Sequence, residues 1–430
     1  MTTILDAHIS FRSQRLATPL ALSSGTIEEL TEAIASVTVE VAGRRTIGRG
    51  SIYLSDLWAW PSQILSHAQR DAALRQLCLS IAEELPTLTR QRGWHPLELG
   101  LRIHELACGM PASLDPPALA RSLCGSPFDA AIHDAAGLAL GRSAFALYDD
   151  SVAIPRADNY FPGIGASRAV AEAIQKPRTE LPAWFVVSMS DALEATLAPA
   201  IAANGYRCFK LKLYGRDNRI DAARTAEVYR TAIACGVVKP RLTVDTNEAN
   251  PSADSVLDYL TTLESLDRAA YDALEYLEQP THRDIRRHSF DWRPVAARKP
   301  VLLDEGLTDL VLLTEAKQQG YSGLALKTCK GHSMLLVAAA WAHREGMLIS
   351  LQDLTNPGIS LIHAALTGAH LATINGAELN SPQFTPAANA ECATTLPLLF
   401  TPKNGLHQVP TPLPHGLGSI LCATAEGQSH

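Results

Sequence analysis

Apolar and polar positions alternate through the first 53 residues, as at Ala35, Val37, Val39 and Val41, until a Gly-Arg-Arg turn at 43–45. A period of two predicts an antiparallel sheet, with Gly48 and Gly50 breaking the strand after the turn. From about Pro61 to Tyr148 the spacing turns helical, in Ala72 to Leu85 and in Phe128, Ile132, Ala135, Ala136 and Leu140. Ser126-Pro127 reads as the cap and start of the second helix, because proline has no N–H to leave unpaired there. Residues 1–150 are thus expected to form an α+β unit.

Beyond a loop carrying Pro155, Pro162, Gly163 and Gly165, short apolar runs alternate with helical ones. The runs are Ala183 to Val187, Cys208 to Leu213, Leu242 to Asp245, Ala273 to Glu278, Val301 to Asp304, Leu324 to Lys327, Met347 to Ser350 and Ala372 to Leu379. Such repetition predicts a parallel barrel over 151–390. An open doubly wound sheet competes, but no GxGxxG turn follows the first run. Residues 391–430, aperiodic and with many Pro and Gly, are expected to pack back on the first domain. The expected fold class is α/β: a modified (β/α)-barrel with an N-terminal α+β capping domain.

Composition narrows the function. The 430 residues carry a net charge of −7 spread along the chain, and the most basic stretch, Arg283 to His288, is interrupted by Asp284 and Ile285. Nucleic acid is not an expected partner. The eight cysteines occur singly, without CxxC pairs, which argues against a disulfide framework or a structural zinc and fits a cytoplasmic protein. The N-terminal 15 residues lack the apolar core of an export signal, and the longest apolar run, Met334 to Ala342, is too short to span a bilayer. No membrane partner is expected.

Charged residues end strand after strand: Lys210 and Lys212, Asp245, Glu278, Asp304 with Glu305, and Lys327. In a barrel those ends converge on one face. Asp245, Glu278 and Asp304 would raise one another's pKa unless a cation neutralised them, and oxygen ligation suits Mg²⁺, with Mn²⁺ as a substitute. Lys210 and Lys212, two apart on a strand, share a face, and their mutual repulsion near a cation is expected to lower both toward the range of a general base. Lys327, from the sixth strand, would stand opposite. A carboxylate substrate between the two sides could lose an α-proton to one lysine and regain one from the other, with the metal stabilising the enediolate.

At these residues the sequence resembles the muconate-lactonizing subgroup of the enolase superfamily. Lys210-Leu211-Lys212 resembles the family KxK, while Val244-Asp245-Thr246-Asn247, Glu278-Gln279-Pro280 and Leu303-Asp304-Glu305 resemble its three ligand strands. Leu324 to Lys330 is similar to the sixth-strand segment, in which the first lysine is catalytic and Lys330 is not. Phe128 to Gly137 and Gly48 to Ser51 resemble parts of the first domain, whose loops around Leu20 to Thr26 and Ser51 to Trp60 would cover the substrate.

The resemblance implies Lys212 and Lys327 as acid/bases, Lys210 as a partner that tunes Lys212 and binds substrate oxygen, and Asn247 and Glu305 as supports of the ligands. It also implies a homo-oligomer. Ala377 to Pro382 has no DxD for an α-ammonium, which disfavours dipeptide epimerisation, although Glu378 resembles the eighth-strand glutamate of muconate-lactonizing enzymes. Ser350-Leu351-Gln352-Asp353 has no histidine, which disfavours the mandelate racemase subgroup. Asp353 could bind substrate or cap a helix, and Trp58 and Trp60 could line the pocket or pack between domains. His363 and His370 are assigned no role.

The expected activity is Mg²⁺-dependent abstraction of a proton α to a carboxylate, by an isomerase or lyase. Racemisation, epimerisation, cycloisomerisation and syn-elimination stay open. The rivals are a Schiff-base lysine aldolase on the same barrel, which the carboxylates oppose, and a catalytically silent member of the fold.

Overall fold

The computed structural model describes residues 1–22, 24–149, 152–353 and 355–422. The expected cover loop at Leu20 to Thr26 and the expected C-terminal segment therefore each lie partly outside the described residues, at 23 and at 423–430.

Three antiparallel strands, Thr2–Leu22, Gly25–Val41 and Arg44–Tyr53, open the chain. Alternation places Ala33, Ala35, Val37, Val39 and Val41 on one buried face. The helix Ala118–Leu140 crosses the sheet on strand Arg44–Tyr53, and His67–Glu84 and Pro96–Gly109 pack around it.

Two readings of this domain are corrected. Gly48 and Gly50 lie inside the third strand, paired with Val37 and Ala35. They do not break it; they let the helix backbone approach. A Cβ on Gly48 would lie 2.1 Å from the Ala131 carbonyl, and one on Gly50 2.2 Å from that of Pro127. Pro127 likewise sits inside the helix instead of starting it. Proline cannot donate to the carbonyl four residues back, and here the Ser126 hydroxyl donates to Leu123 O at 2.9 Å. Ser126→Ala should therefore lower stability by about 1 kcal/mol, read from the urea midpoint; an unchanged midpoint would refute that role.

Among the described residues, seven parallel strands follow in sequential order. They are Trp184–Ser188, Cys208–Lys212, Arg241–Asp245, Leu274–Glu278, Val301–Leu303, Gly323–Lys327 and Leu348–Gln352. The expected eighth strand is reduced to one bridge, Gln352 to Glu378. Side chains take over where its ladder is missing. The Asn375 amide pairs with both N and O of Leu351, and the Gln383 amide pairs with both N and O of Val186 on the first strand. Backbone groups of both flanking strands are satisfied in this way, and the barrel closes. Tyr276, Leu302 and Ala325 form a separate buried cluster within the sheet.

Leu406–Gln408 pairs with the short strand Glu180–Pro182. Farther on, Leu417 N donates to Asp134 of the first domain at 2.8 Å, and Gly416 bridges to Ser143. Cys392 and Cys422 form a disulfide across 30 residues. It is a single link and not a framework, but the scattered spacing concealed it. Among the described residues no helix is long and apolar enough to cross a membrane.

Candidate active site

Phe209 and Leu211 pack in the main core, so strand alternation turns Lys210 and Lys212 the other way, into the barrel. Register brings the next strands level: Lys212 pairs with Asp245, and Asp245 with Glu278. Residues far apart in sequence become one charged layer. Lys212 Nζ lies 2.6 Å from Asp245 Oδ2 and 3.2 Å from Asn247 Oδ1. Lys210 Nζ lies 2.8 Å from Glu278, 3.3 Å from Glu378 and 3.5 Å from Asp245. Across the barrel, Lys327 Nζ is 2.7 Å from Asp304 and 3.4 Å from Glu278. Lys330 binds the other Asp304 oxygen at 2.9 Å.

These contacts reverse one expectation. Burial lowers Lys210 and Lys327, but the carboxylates around each outweigh it: Glu278, Glu378 and Asp245 for Lys210, and Asp304 and Glu278 for Lys327. Both lysines are held above their ordinary range, and for Lys210 this is the opposite of the depression expected from repulsion by Lys212. Asp304 shows the reciprocal effect, with burial raising it and Lys327 and Lys330 pulling it far below the usual carboxylate range. Burial pushes Glu278 up to about 7, against the pull of Lys210 and with help from Asp245. Glu305, buried beside Asp304 and Glu248, is pushed up to about 8.

One pocket takes in Lys210, Lys212, Lys327 and Glu378, with Gln352, Thr355 and Asn380 from the last strand ends. Its opposite wall is apolar: Leu20, Leu22 and Ile27 from the hairpin tip, Trp58 from the next capping-domain loop, and Val186 and Phe384 from the barrel. The first domain therefore roofs the site with both loops that the resemblance named.

Asp245 Oδ1 accepts from the Asn247 amide at 2.7 Å, and Glu305 Oε1 accepts from Asn247 Nδ2 at 3.2 Å, so these two supports join the charged layer. Asp353 is placed differently. It accepts from Thr355 N at 2.7 Å and Asn380 N at 3.1 Å, tying two loops together away from the pocket wall. Gln352, one residue earlier, reaches the pocket and donates to Glu278. The signal for Gln352 was its phase: it shares a strand face with Ser350, whose hydroxyl meets Tyr276 at 2.9 Å inside the barrel. His363 bonds His332 at 2.8 Å behind the site and does not line the pocket.

Among the described residues no three His, Cys, Asp or Glu side chains already converge as a metal cage. The lysine ammoniums lie between the carboxylates. Glu305 Oε2 is nonetheless buried without a hydrogen-bond partner among the described residues. Such an all-oxygen donor set, gathered from adjacent strand ends, fits a hard divalent cation.

No curated protein matches the chain in sequence. Solved structures match it along nearly its whole length. The dipeptide epimerase of Enterococcus faecalis V583 superposes with TM-score 0.66 at 15% identity, covering 97% of this chain and 99% of that one. The L-Ala-D/L-Glu epimerase of Bacillus subtilis gives 0.67 at 16%, covering 98% and 100%. The muconate lactonizing enzyme of Pseudomonas fluorescens gives 0.63 at 17%, covering 97% and 96%. At such identities the likeness establishes the capped, modified barrel fold. A family model described as enolase C-terminal domain-like matches residues 192–422, which is more than half of the chain and spans every charged strand end described above. The protein is therefore a member of the enolase superfamily, of the mandelate racemase and muconate lactonizing enzyme type, whose members are isomerases and lyases.

Proposed function

We propose that this protein removes a proton α to the carboxylate of a small, largely apolar substrate, with Lys212 and Lys327 as the two acid/base groups and Mg²⁺ as cofactor. The observation that carries this reading is the placement of Lys212 and Lys327 on opposed strand ends in one roofed pocket, beside carboxylates from the three strands between. A substrate held between them presents one face to each lysine.

Asp245, Glu278 and Asp304 would hold the cation, with Asn247 and Glu305 orienting them. Related structures support the choice of metal, since that of the Enterococcus epimerase contains Mg. Mn²⁺ has the same preference for oxygen and would substitute. When bound, the cation supplies Lewis-acid stabilisation of the substrate carboxylate as negative charge builds there. Carboxylates committed to it would no longer hold the Lys327 ammonium up, so loading would shift Lys327 down, toward the range in which a general base works. Lys210, enclosed by Glu278 and Glu378, is suited to a fixed positive charge on substrate oxygen. Leu20, Leu22, Ile27, Val186 and Phe384 accommodate an uncharged, apolar end and exclude bulk water.

The test is deuterium uptake from D₂O with Mg²⁺ across carboxylic acids, N-acyl amino acids and dipeptides, read by mass spectrometry. Exchange at an α-carbon is expected, and product stereochemistry then separates epimerisation from elimination or cycloisomerisation. Absence of exchange throughout, with metal bound, would overturn the reading. Independently of turnover, Asp245→Asn should weaken Mg²⁺ binding by at least about tenfold in calorimetry, because it removes a charge from the ligand set. Unchanged affinity would remove Asp245 from that set.

A further inference from the structure

The capping domain sends one side chain down into the charged layer. Trp58, in the short helix Asp56–Ala59, is only 4% exposed. Its indole Nε1 donates to Glu305 Oε1 at 2.9 Å, and the face of its ring lies 5.1 Å from Lys327 Nζ. An ammonium over an indole is held by the ring's electron-rich face, and more strongly where water is excluded. Of the lysines lining this pocket, Lys327 alone has that contact among the described residues.

The barrel in turn fixes the tryptophan. The Arg283 guanidinium donates to the carbonyls of Trp58 at 3.0 Å and Ala59 at 3.2 Å, and its Nε donates to Glu248 at 2.8 Å. Glu248 also accepts from the Arg283 amide at 2.6 Å. Main chain and side chain of Trp58 are thus both anchored to loops at the strand ends. The indole also forms a wall shared by the lysine pocket and the outer cleft lined by Trp60, Arg216 and His282.

We infer that Trp58 is a positioning residue through which the capping domain aims Lys327 at its face of the substrate, leaving Lys212 to be aimed by the barrel alone. The inference rests on the proposed two-lysine reading. The anisotropy follows from the contacts: the ring meets Lys327 directly, whereas Lys212 is held by Asp245 and Asn247. Trp58→Phe keeps an aromatic face and loses the N–H. Trp58→Leu loses both.

The experiment has two arms on the full-length protein, with thermal melts to establish that each variant is folded. In the first, the metal-loaded wild type and both variants are incubated in D₂O with (R)- and (S)-N-acetylphenylglycine, whose α-protons are acidic and whose rings suit the apolar wall. Trp58→Leu should slow exchange of one enantiomer about tenfold more than that of the other, and Trp58→Phe should slow it much less. Equal slowing of both enantiomers, or no slowing, would overturn the inference.

The second arm needs no substrate. Limited acetylation with acetic anhydride is mapped by peptide mass spectrometry, with Lys210 as internal control. Trp58→Leu should raise labelling of Lys327 several-fold relative to Lys210, with Trp58→Phe close to wild type. An unchanged ratio would overturn the inference whatever the first arm gives. A wild type that exchanges neither enantiomer counts against the two-lysine reading, while the labelling arm still decides whether the indole holds Lys327.

Discussion

Lys212→Met and Lys327→Met should each lower turnover by about 10³-fold, the scale at which a positioned acid or base contributes. Methionine keeps most of the stem volume and removes the ammonium, so the loss reads proton transfer and not packing. The two variants should differ in character. Lys212 holds Asp245 at 2.6 Å, but Asp245 also has Lys210 at 3.5 Å. Lys327 holds Asp304 at 2.7 Å, and Lys330 stays on the other oxygen at 2.9 Å. Each carboxylate thus keeps one ammonium, the fold should persist, and Mg²⁺ should still bind. If the substrate is racemised, each variant should retain exchange of only one enantiomer. Near-normal turnover in either variant would end the two-lysine mechanism.

The largest stability effect is expected at a position far from this chemistry. Gly48→Val should cost about 3 kcal/mol or more, seen as a lower denaturant midpoint at unchanged slope. A Cβ there would stand 2.1 Å from Ala131 O and 2.3 Å from Ala135 N, both backbone atoms of the helix Ala118–Leu140. No rotamer change relieves a clash with backbone, so the helix must move off the sheet. That movement would reach the site, because Asp129 on the same helix accepts from Ser333 N at 2.7 Å and Ser333 Oγ at 2.8 Å. Ser333 lies in the first turn of the helix His332–Glu345, which follows Lys327 and Lys330. A midpoint equal to wild type would show that the contact can slide without cost.

The barrel strands were legible in the chain because each is a short apolar run, the second to sixth ending at a charge, and burial on both faces leaves few other patterns. All seven were read within a residue or two. The eighth was read as a strand from Ala372 to Leu379, but Asn375 and Gln383 amides replace much of its ladder. Side-chain hydrogen bonding of that kind leaves no period in the sequence. Pro127 was misread for a related reason. Its position as helix start follows from the missing N–H, whereas its place inside the helix depends on burial of both faces and on the Ser126 hydroxyl.

The candidate site divides in the same way. Residue type and strand-end position singled out Lys210, Lys212, Asp245, Glu278, Asp304 and Lys327, because charge at the end of an apolar strand has few uses except at a converging face. Membership of the layer by Asn247 and Glu305 followed from the same segments. Gln352 was passed over for Asp353, since a carboxylate draws more attention than an amide, although alternation places the amide inward.

Sequence alone determined the order of elements, the capped barrel and the identity of the charges that meet, because periodicity and strand-end chemistry are local properties of the chain. Only tertiary structure decided how those charges pair, with carboxylates raising Lys210 where repulsion from Lys212 alone would lower it. It alone joined Cys392 to Cys422, brought Trp58 over Lys327, and made Gly48 a contact instead of a break. The physical reason is range: backbone preference acts over a few residues, whereas ion pairing, close approach and ring contact depend on distances that exist only once the chain has closed on itself.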